Sequence, residues 1–262
     1  LVRLFNLCLM HGCVPDSFCK SIVVPVIKDK NGRVDCFDNY RPITLVTMFS
    51  KVFELCLNAR LVRLFEVDEL QYGFVPDRGC QKALFTFESI VNHFTRHGSC
   101  VYMSALDASK AFDRVNHFAL LIKLMKIGVP LCMINIFMSW FFRLSGQVVW
   151  NGFYSHVFYM HSGVGQGRIN SPCFFNVYIN DLIVKLRCSG YGCYLGFCYA
   201  GCLFFADDIL LLSGSILHLQ CMLDICSCFG AEFDIVFNHK KSFLMQVGLD
   251  VDVVLPQLSF SG

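Results

Sequence analysis

The stretch FFADDILLLS, residues 204–213, decides the fold of this chain. It places two adjacent acids, Asp207 and Asp208, between the short apolar runs 202–205 and 209–212. Apolar runs of this length are typical of buried strands, so the pattern predicts a hairpin with the carboxylates at its turn. Bare carboxylates that faced a core would be costly, whereas a hairpin tip lets both side chains reach one open side.

A third acid stands in a similar setting. The β-rich segment 99–106 ends on Asp107, so a second strand end is expected to carry a carboxylate. Mg²⁺ prefers oxygen ligands and keeps waters and substrate phosphates in its shell. Three such carboxylates, if they meet, fit two metal ions that activate an attacking hydroxyl and stabilise a leaving group. Taken alone, an Asp-Asp pair is more often a solvated turn.

The remaining pattern mixes strands and helices. We expect a strand at 21–27, a helix at 50–65 capped by Ser50, and a helix that starts at Ser171-Pro172 and reaches Arg187. Further helices are expected at 120–127, 131–142 and 217–229, and a last strand at 233–237. Strands and helices in this order predict an α+β fold with helices against a sheet.

Composition limits the class of protein. The 262 residues are 55% hydrophobic and 16% charged, and the formal net charge is +2. Such a chain is long enough to bury a core, as one large domain or two modest ones, and is too apolar to be disordered. The small net charge gives only weak support for a nucleic-acid partner, because a carboxylate cluster offsets basic charge elsewhere.

Sixteen cysteines point to disulfides, a zinc site or free thiols. No two CxxC pairs occur at zinc spacing, so we favour buried free thiols, among them those of Cys188, Cys193, Cys198 and Cys202. Glycines throughout 188–206 favour strands over a membrane-spanning helix, and we expect no membrane partner. No secretory leader is recognisable, so we expect an intracellular location, in the nucleus or the cytoplasm.

The ordered segments of residues 20–248 resemble the reverse transcriptases of non-LTR (LINE-type) retrotransposons. The matching segments are SIVVPVIK (21–28), NYRPI (39–43), QYGF (71–74) with Pro76 and Arg78, LDASKAFDRVNH (106–117), GVGQG (163–167) with Ser171-Pro172, FFADDILLLS (204–213) and FNHKKS (237–242). Each segment alone is weak, but their order and spacing together are specific.

The resemblance implies a right-hand polymerase fold with fingers and palm, in which helices back an antiparallel palm sheet and the thumb is missing. It assigns fingers to residues 1–98, the first catalytic palm strand to 99–115 and helices of fingers and palm to 116–150. The nucleotide-pocket helix, the catalytic hairpin and the last palm strand fall in 151–248. Residues 249–262 would begin the connection to the thumb.

The implied activity is RNA-directed DNA polymerisation, with template RNA, a DNA primer and deoxynucleoside triphosphates as partners and two Mg²⁺ (or Mn²⁺) ions as cofactors. Asp107 and Asp207 would bridge both ions, Asp208 would support them, and the Ala108 carbonyl would complete one coordination shell. Lys241 would protonate the departing pyrophosphate, or is a solvated charge at a strand end.

The resemblance also implies a nucleotide pocket. Arg78 is the first candidate for the triphosphate and Arg41 the second, although a lone Arg is more often a surface ion-pair partner. Phe112 would abut the sugar and exclude a 2′-hydroxyl, or is a core aromatic. Gln166, with Gly167 beside it, would approach the nucleotide and template closely.

Several positions depart from the family pattern. The family commonly has Arg where Gly165 stands, a small residue at Arg168, Leu at Asn170 and Tyr at Phe205. The first two concern the nucleotide pocket, so a second hypothesis is a catalytically impaired, decayed fragment that keeps only the fold and nucleic-acid binding. A third is a globular domain whose acids lie at the surface by accident.

Overall fold

The computed structural model describes residues 1–248, which form two compact units. The first unit consists of residues 1–66 and 112–177, and the second of residues 67–111 together with the chain from 178 onward. The helices are α1 Val2–His11, α2 Asp16–Cys19, α3 Met48–Leu61, α4 Cys80–Arg96, α5 Ala111–Arg114, α6 His117–Lys126, α7 Leu131–Phe141, α8 Ser171–Cys188 and α9 Ile216–Phe233, with a 3₁₀ turn at Phe37–Asn39. The strands are β1 Lys20–Ile27, β2 Tyr40–Leu45, β3 Val101–Asp107, β4 Ser145–Trp150, β5 Phe153–Tyr154, β6 Phe158–Tyr159, β7 Tyr194–Leu195, β8 Cys198–Tyr199, β9 Cys202–Phe205, β10 Asp208–Ser213 and β11 Phe243–Val247.

The first unit is built on a mixed sheet. Its strand order is β2-β1-β4-β5, with β6 also paired to β4; β1 runs antiparallel to β2 and parallel to β4. The β-branched run in β1 suits a pleated, half-buried strand. An aromatic cluster of Phe5, Phe18, Phe53 and Trp140 lies in its core, and the Trp140 indole donates to the Phe18 carbonyl at 2.9 Å. The indole N–H is therefore satisfied inside the core.

The second unit is built on an antiparallel sheet with the order β11-β3-β10-β9. Helix α9 contacts β10 and β3, and helix α4 contacts β3 and β9. The buried faces of these elements supply the core, including Phe204, Leu211 and Phe229. The predicted α+β class, with antiparallel strands and helices against them, is confirmed.

Two local predictions were wrong. Helix α3 is capped by the Thr47 hydroxyl, which accepts from Ser50 N at 3.3 Å, so Ser50 lies inside the helix and not at its cap. No strand forms over 233–237, since α9 continues to Phe233 and ends where Asp234 adopts a left-handed φ of 54°. Ile235 and Phe237 are buried in the core without forming a strand, which explains the apolar pattern. The last described strand is β11.

The apolar stretch 188–206 forms the short strands β7, β8 and β9, as predicted. All sixteen cysteines are free thiols, but within this stretch only Cys193 and Cys202 are buried. Among the described helices, α9 is long and apolar enough to cross a membrane, judged by length and composition alone. The core helix of a protein can meet the same criterion, and α9 buries Leu219, Met222, Leu223, Cys226 and Phe229. The boundaries between fingers and palm stay predictions, and the expected start of the thumb connection at 249–262 lies outside the described residues.

Candidate active site

The predicted hairpin with acids at its tip is present in the second unit. Strands β9 and β10 pair antiparallel, with Phe205 opposite Asp208, so Ala206 and Asp207 form a two-residue turn. Ala206 has a positive φ of 58°, a conformation that side chains disfavour. Asp207 lies on the turn itself, and Asp208 opens β10 at the surface.

Asp107 is brought to the same place by the neighbouring strand. It ends β3 directly opposite Asp208 on β10, and side chains of such cross-strand partners are close neighbours. Although Asp208 is exposed, nearby protein atoms displace water from its carboxylate and raise its pKa, and the negative charge of Asp107 raises it further. Lys241 acts in the opposite direction. Two carboxylates are thus held together with only partial compensation of their charge.

Lys241 is positioned by a turn that is bonded to the end of β3. Asn238 N donates to the Asp107 carbonyl at 2.8 Å, and Ser109 N donates to the Val236 carbonyl at 2.8 Å, so Ala108 lies opposite Phe237. From this turn, Lys241 Nζ lies 3.6 Å from Asp107 Oδ2. The lysine side chain is 66% exposed, so the ion pair contributes little to stability and leaves the ammonium accessible to a ligand.

The carboxylate pair fits a divalent cation by its donor chemistry. Asp107 and Asp208 supply only oxygen ligands, and Mg²⁺ is commonly bound by one or two carboxylates together with waters and substrate phosphates. Across residues 1–248, no three His, Cys, Asp or Glu side chains converge closely enough to form a metal site by themselves. The structure therefore brings Asp107 to Asp208 and leaves Asp207 on the adjoining turn.

Arg78, the first candidate for the triphosphate, lies in the loop before α4. Its Nη1 donates to the backbone carbonyls of Asp68 and Gln71, the latter at 3.2 Å. Asp68 in turn accepts from Nη1 and Nη2 of Arg187 at 2.7 and 2.8 Å. Sequence reasoning missed Asp68 and Arg187, because nothing in their local pattern shows that they would meet across 119 positions.

The other predicted nucleotide-binding residues belong to the first unit. The Gln166 carbonyl accepts from Thr44 N of β2 at 2.6 Å, and Gly167 has a φ of 105°. A side chain at position 167 would put its Cβ 2.9 Å from the Thr44 carbonyl oxygen, which explains the glycine. Arg41 is exposed on the same strand, three positions before Thr44. Within this unit, β2 therefore carries Arg41 and is bonded at Thr44 to the loop that contains Gln166.

Phe112 is stacked on another aromatic ring. Its centroid lies 4.6 Å from that of Phe175 on α8, with an interplanar angle of 16°. Val164 N donates to the Phe112 carbonyl at 2.7 Å, which ties this residue to the loop that carries Gln166. Phe175 is fully buried and Phe112 is half-buried, so one face of the Phe112 ring is fixed by packing.

Arg168, one of the departures from the family pattern, has a buried partner. Its Nη1 lies 3.1 Å from Glu54 Oε1, and the two side chains are only 9% and 2% exposed. The guanidinium lies 5.5 Å from the Trp140 ring centroid, and Ile169 N donates to Glu54 Oε2 at 2.7 Å. Burial lowers the pKa of Arg168, and Glu54 opposes that shift. The unusual arginine is thus compensated by a carboxylate in the same unit.

Solved structures with a similar fold define the class. A telomerase of Candida tropicalis truncated from its C-terminal domain matches with a TM-score of 0.63 and 14% identity, over 94% of this chain and 55% of that chain. Telomerase of the same organism in complex with a fragment of telomeric RNA matches with a TM-score of 0.61 and 14% identity, over 89% of this chain and 42% of the other. The fold is that of the reverse transcriptases and telomerases.

Sequence comparison shows the family. Residues 27–253 match the model "Reverse transcriptase (RNA-dependent DNA polymerase)", and the chain belongs to this family. The Pol polyprotein of retrotransposable element R2DM from Drosophila melanogaster is 26% identical over 247 residues, which are 94% of this chain and 23% of the relative. The RNA-directed DNA polymerase of mobile element jockey from Drosophila funebris is 27% identical over 191 residues, 70% of this chain and 20% of the relative.

These relatives are polyproteins of non-LTR retrotransposons, so the resemblance drawn from the motifs is confirmed. The chain spans about a fifth to a third of the length of the curated relatives it matches.

Proposed function

We propose that this chain extends the 3′-hydroxyl of a DNA primer with deoxynucleoside triphosphates on an RNA template, as a step of retrotransposition. The observation that carries the proposal is the pair Asp107 and Asp208, which the register of β3 and β10 brings together in a member of the reverse transcriptase family. The same proposal includes an intracellular location, in the nucleus or the cytoplasm.

Asp107 and Asp207 would be the main ligands of divalent cations, Mg²⁺ or Mn²⁺, with Asp208 in a supporting role and the Ala108 carbonyl as a further ligand. Two such ions, when bound, activate the attacking hydroxyl and stabilise charge on the leaving pyrophosphate. Lys241 holds its ammonium 3.6 Å from the Asp107 carboxylate and is the proposed donor of a proton to a departing pyrophosphate oxygen.

Substrate recognition is proposed for residues on each unit. On the first unit Arg41 would bind phosphate, Gln166 and Gly167 would approach the nucleotide, and Phe112 would contact the sugar. On the second unit Arg78 would bind the triphosphate with the part of its guanidinium that does not hold the backbone carbonyls of its own loop.

The sugar contact gives a prediction. Phe112→Val is expected to raise the incorporation of ribonucleotides relative to deoxyribonucleotides by about tenfold or more, because a smaller side chain leaves room for a 2′-hydroxyl. The ratio of kcat/KM for the two nucleotides measures the effect. Phe118→Val is the matched control, since Phe118 is an exposed aromatic of α6 in the same unit. An unchanged ratio for Phe112→Val would remove this residue from the sugar contact.

The proposed activity is tested by incorporation of a single deoxynucleotide on an RNA template with an annealed DNA primer. Asp207→Ala is compared with the wild-type chain, and Asp224→Asn, an exposed acid of α9, serves as the control. Extension by the wild type and the control, but not by Asp207→Ala, supports the proposal. Equal extension by all three proteins would reject it.

A second candidate is a catalytically impaired fragment that keeps the fold and binds nucleic acid. The departures from the family pattern at Gly165 and Arg168 motivate this alternative, because both residues stand in the loop that carries Gln166. It predicts that the chain binds an RNA–primer duplex with an affinity that falls as the salt concentration rises. It also predicts that no nucleotide is added with either Mg²⁺ or Mn²⁺.

A further inference from the structure

We propose that Gln71 is a positioning residue, which fixes the hairpin tip carrying Asp207 and Asp208 and thereby sets the affinity of the carboxylates for a divalent cation. The inference rests on the proposed function, since it concerns the same metal site. Gln71 is not itself one of the proposed ligands and acts through the backbone N–H of Ala206.

The hairpin tip needs support from outside. Ala206 occupies the first of the two turn positions with a φ of 58°, where a hairpin turn favours glycine. Asp208 and Asp107 lie opposite each other next to this turn, and each carboxylate opposes the approach of the other. A strained turn that carries mutually repelling charges keeps one geometry only where its surroundings hold it.

The side chain of Gln71 supplies that support. Gln71 is 1% exposed, and its Oε1 accepts from Ala206 N at 3.0 Å and from Gly73 N at 2.8 Å. One acceptor therefore joins the turn to the segment 70–73 and satisfies two buried N–H groups. The buried Nε2 of Gln71 has no hydrogen-bond partner among residues 1–248. It is the acceptor oxygen, and not the amide nitrogen, that the site uses.

Backbone contacts place Gln71 for this role. Tyr72 N donates to the Phe204 carbonyl at 2.8 Å, and Phe204 N donates to the Leu70 carbonyl at 2.8 Å, so the segment pairs with β9 next to the tip. At Gly73 the approach is so close that a Cβ would lie 2.3 Å from Ala206 N. At this position the segment can lie against the turn only because Gly73 has no side chain.

The segment is itself anchored at its start. Asp68 is bound by both Nη atoms of Arg187, and its Oδ1 accepts from Leu70 N at 3.0 Å. Arg78 donates to the carbonyls of Asp68 and Gln71. Because Gln71 stands on an anchored segment, its hydrogen bond transmits a fixed position to the turn.

The experiment measures Mn²⁺ affinity of the purified chain by electron paramagnetic resonance, below the melting temperature of every variant. Gln71→Met keeps the length of the side chain but cannot accept the two N–H groups, and it is expected to weaken Mn²⁺ binding about 10- to 100-fold. Gln71→Glu keeps an oxygen that can accept from both Ala206 N and Gly73 N, and it is expected to recover most of the affinity. Tyr178→Phe removes a buried hydroxyl bond to the Phe233 carbonyl and should lower the melting temperature with unchanged Mn²⁺ affinity.

Equal Mn²⁺ affinity of Gln71→Met and wild type would overturn the inference. If Gln71→Met does not fold, Gln71→Asn replaces it, because its acceptor stands one methylene short of Ala206 N; equal affinity of that variant would overturn the inference as well. Asp107→Asn separates the two proposals. If Asp107→Asn binds Mn²⁺ as well as the wild type, the proposed metal site itself fails, whatever the Gln71 variants show.

Discussion

Asp107→Asn is expected to lower the rate of single-nucleotide incorporation by at least about a thousandfold. Asp107 lies opposite Asp208 and next to Lys241, so it is the residue that joins the parts of the proposed site. Removing one charged ligand weakens the binding of the cations that stabilise the charge of the transition state. A loss of about 4 kcal/mol of this stabilisation corresponds to about a thousandfold in rate.

The experiment compares wild type, Asp107→Asn and Asp224→Asn under single-turnover conditions with saturating primer and template. Asp224 is an exposed acid whose Oδ1 accepts from Gln220 Nε2, so its loss should leave the rate unchanged. A rate for Asp107→Asn within about tenfold of the wild type would contradict the assignment, since that is less than about 1.4 kcal/mol.

The same variant is expected to change the dependence of stability on pH. Because the pKa of Asp208 is raised in the folded chain, the folded state binds this proton more tightly than the unfolded state does. Protonation of Asp208 therefore stabilises the folded state at low pH, and this contribution is lost as the pH rises through the raised pKa. Asp107→Asn removes the repulsion that contributes to the shift, so this part of the pH dependence should become smaller in thermal melts without divalent metal.

Arg168→Met is expected to destabilise the chain by about 3–5 kcal/mol, because it leaves Glu54 buried without its cationic partner. Glu54 is 2% exposed and cannot recover its hydration when the arginine is removed. Adding Glu54→Gln to the variant should recover most of the loss, since the amide oxygen still accepts from Ile169 N without burying a charge.

Urea unfolding of the single and double variants measures this effect. Arg33→Met is the matched control in the same unit, because Arg33 pairs with Asp35 at 2.7 Å while 82% of its side chain is exposed. A surface pair of this kind contributes about 0–1 kcal/mol. If Arg168→Met costs no more than Arg33→Met, the buried pair has no special importance for stability.

This pair changes what the family departure means. A small residue restored at position 168 alone would strand Glu54, so an attempt to repair the loop must change both residues. An arginine at position 165 meets a different constraint, because its Cβ would lie 2.9 Å from Thr44 Oγ1. Arg168 is therefore a paired feature of this chain, and by itself it gives little support to the hypothesis of decay.

The sequence by itself determined the elements and their chemistry. The apolar runs on either side of Asp207 and Asp208 determined the hairpin, and Ser171-Pro172 determined where α8 begins. These features depend on residues close in the chain, where periodicity and local backbone preference decide the structure. The ordered motifs also determined the family, since each segment keeps its own recognisable pattern.

Only the tertiary structure decided which groups meet. The register of β3 against β10 put Asp107 opposite Asp208. The sequence shows Asp207 and Asp208 only as two adjacent acids and does not tell which of them Asp107 faces. Packing brought Arg168 to Glu54, 114 positions away in the sequence. It also brought the Gln71 side chain to the N–H of Ala206, 135 positions away. Strand register and burial depend on the free energy of the whole packed core, so no local pattern carries that information.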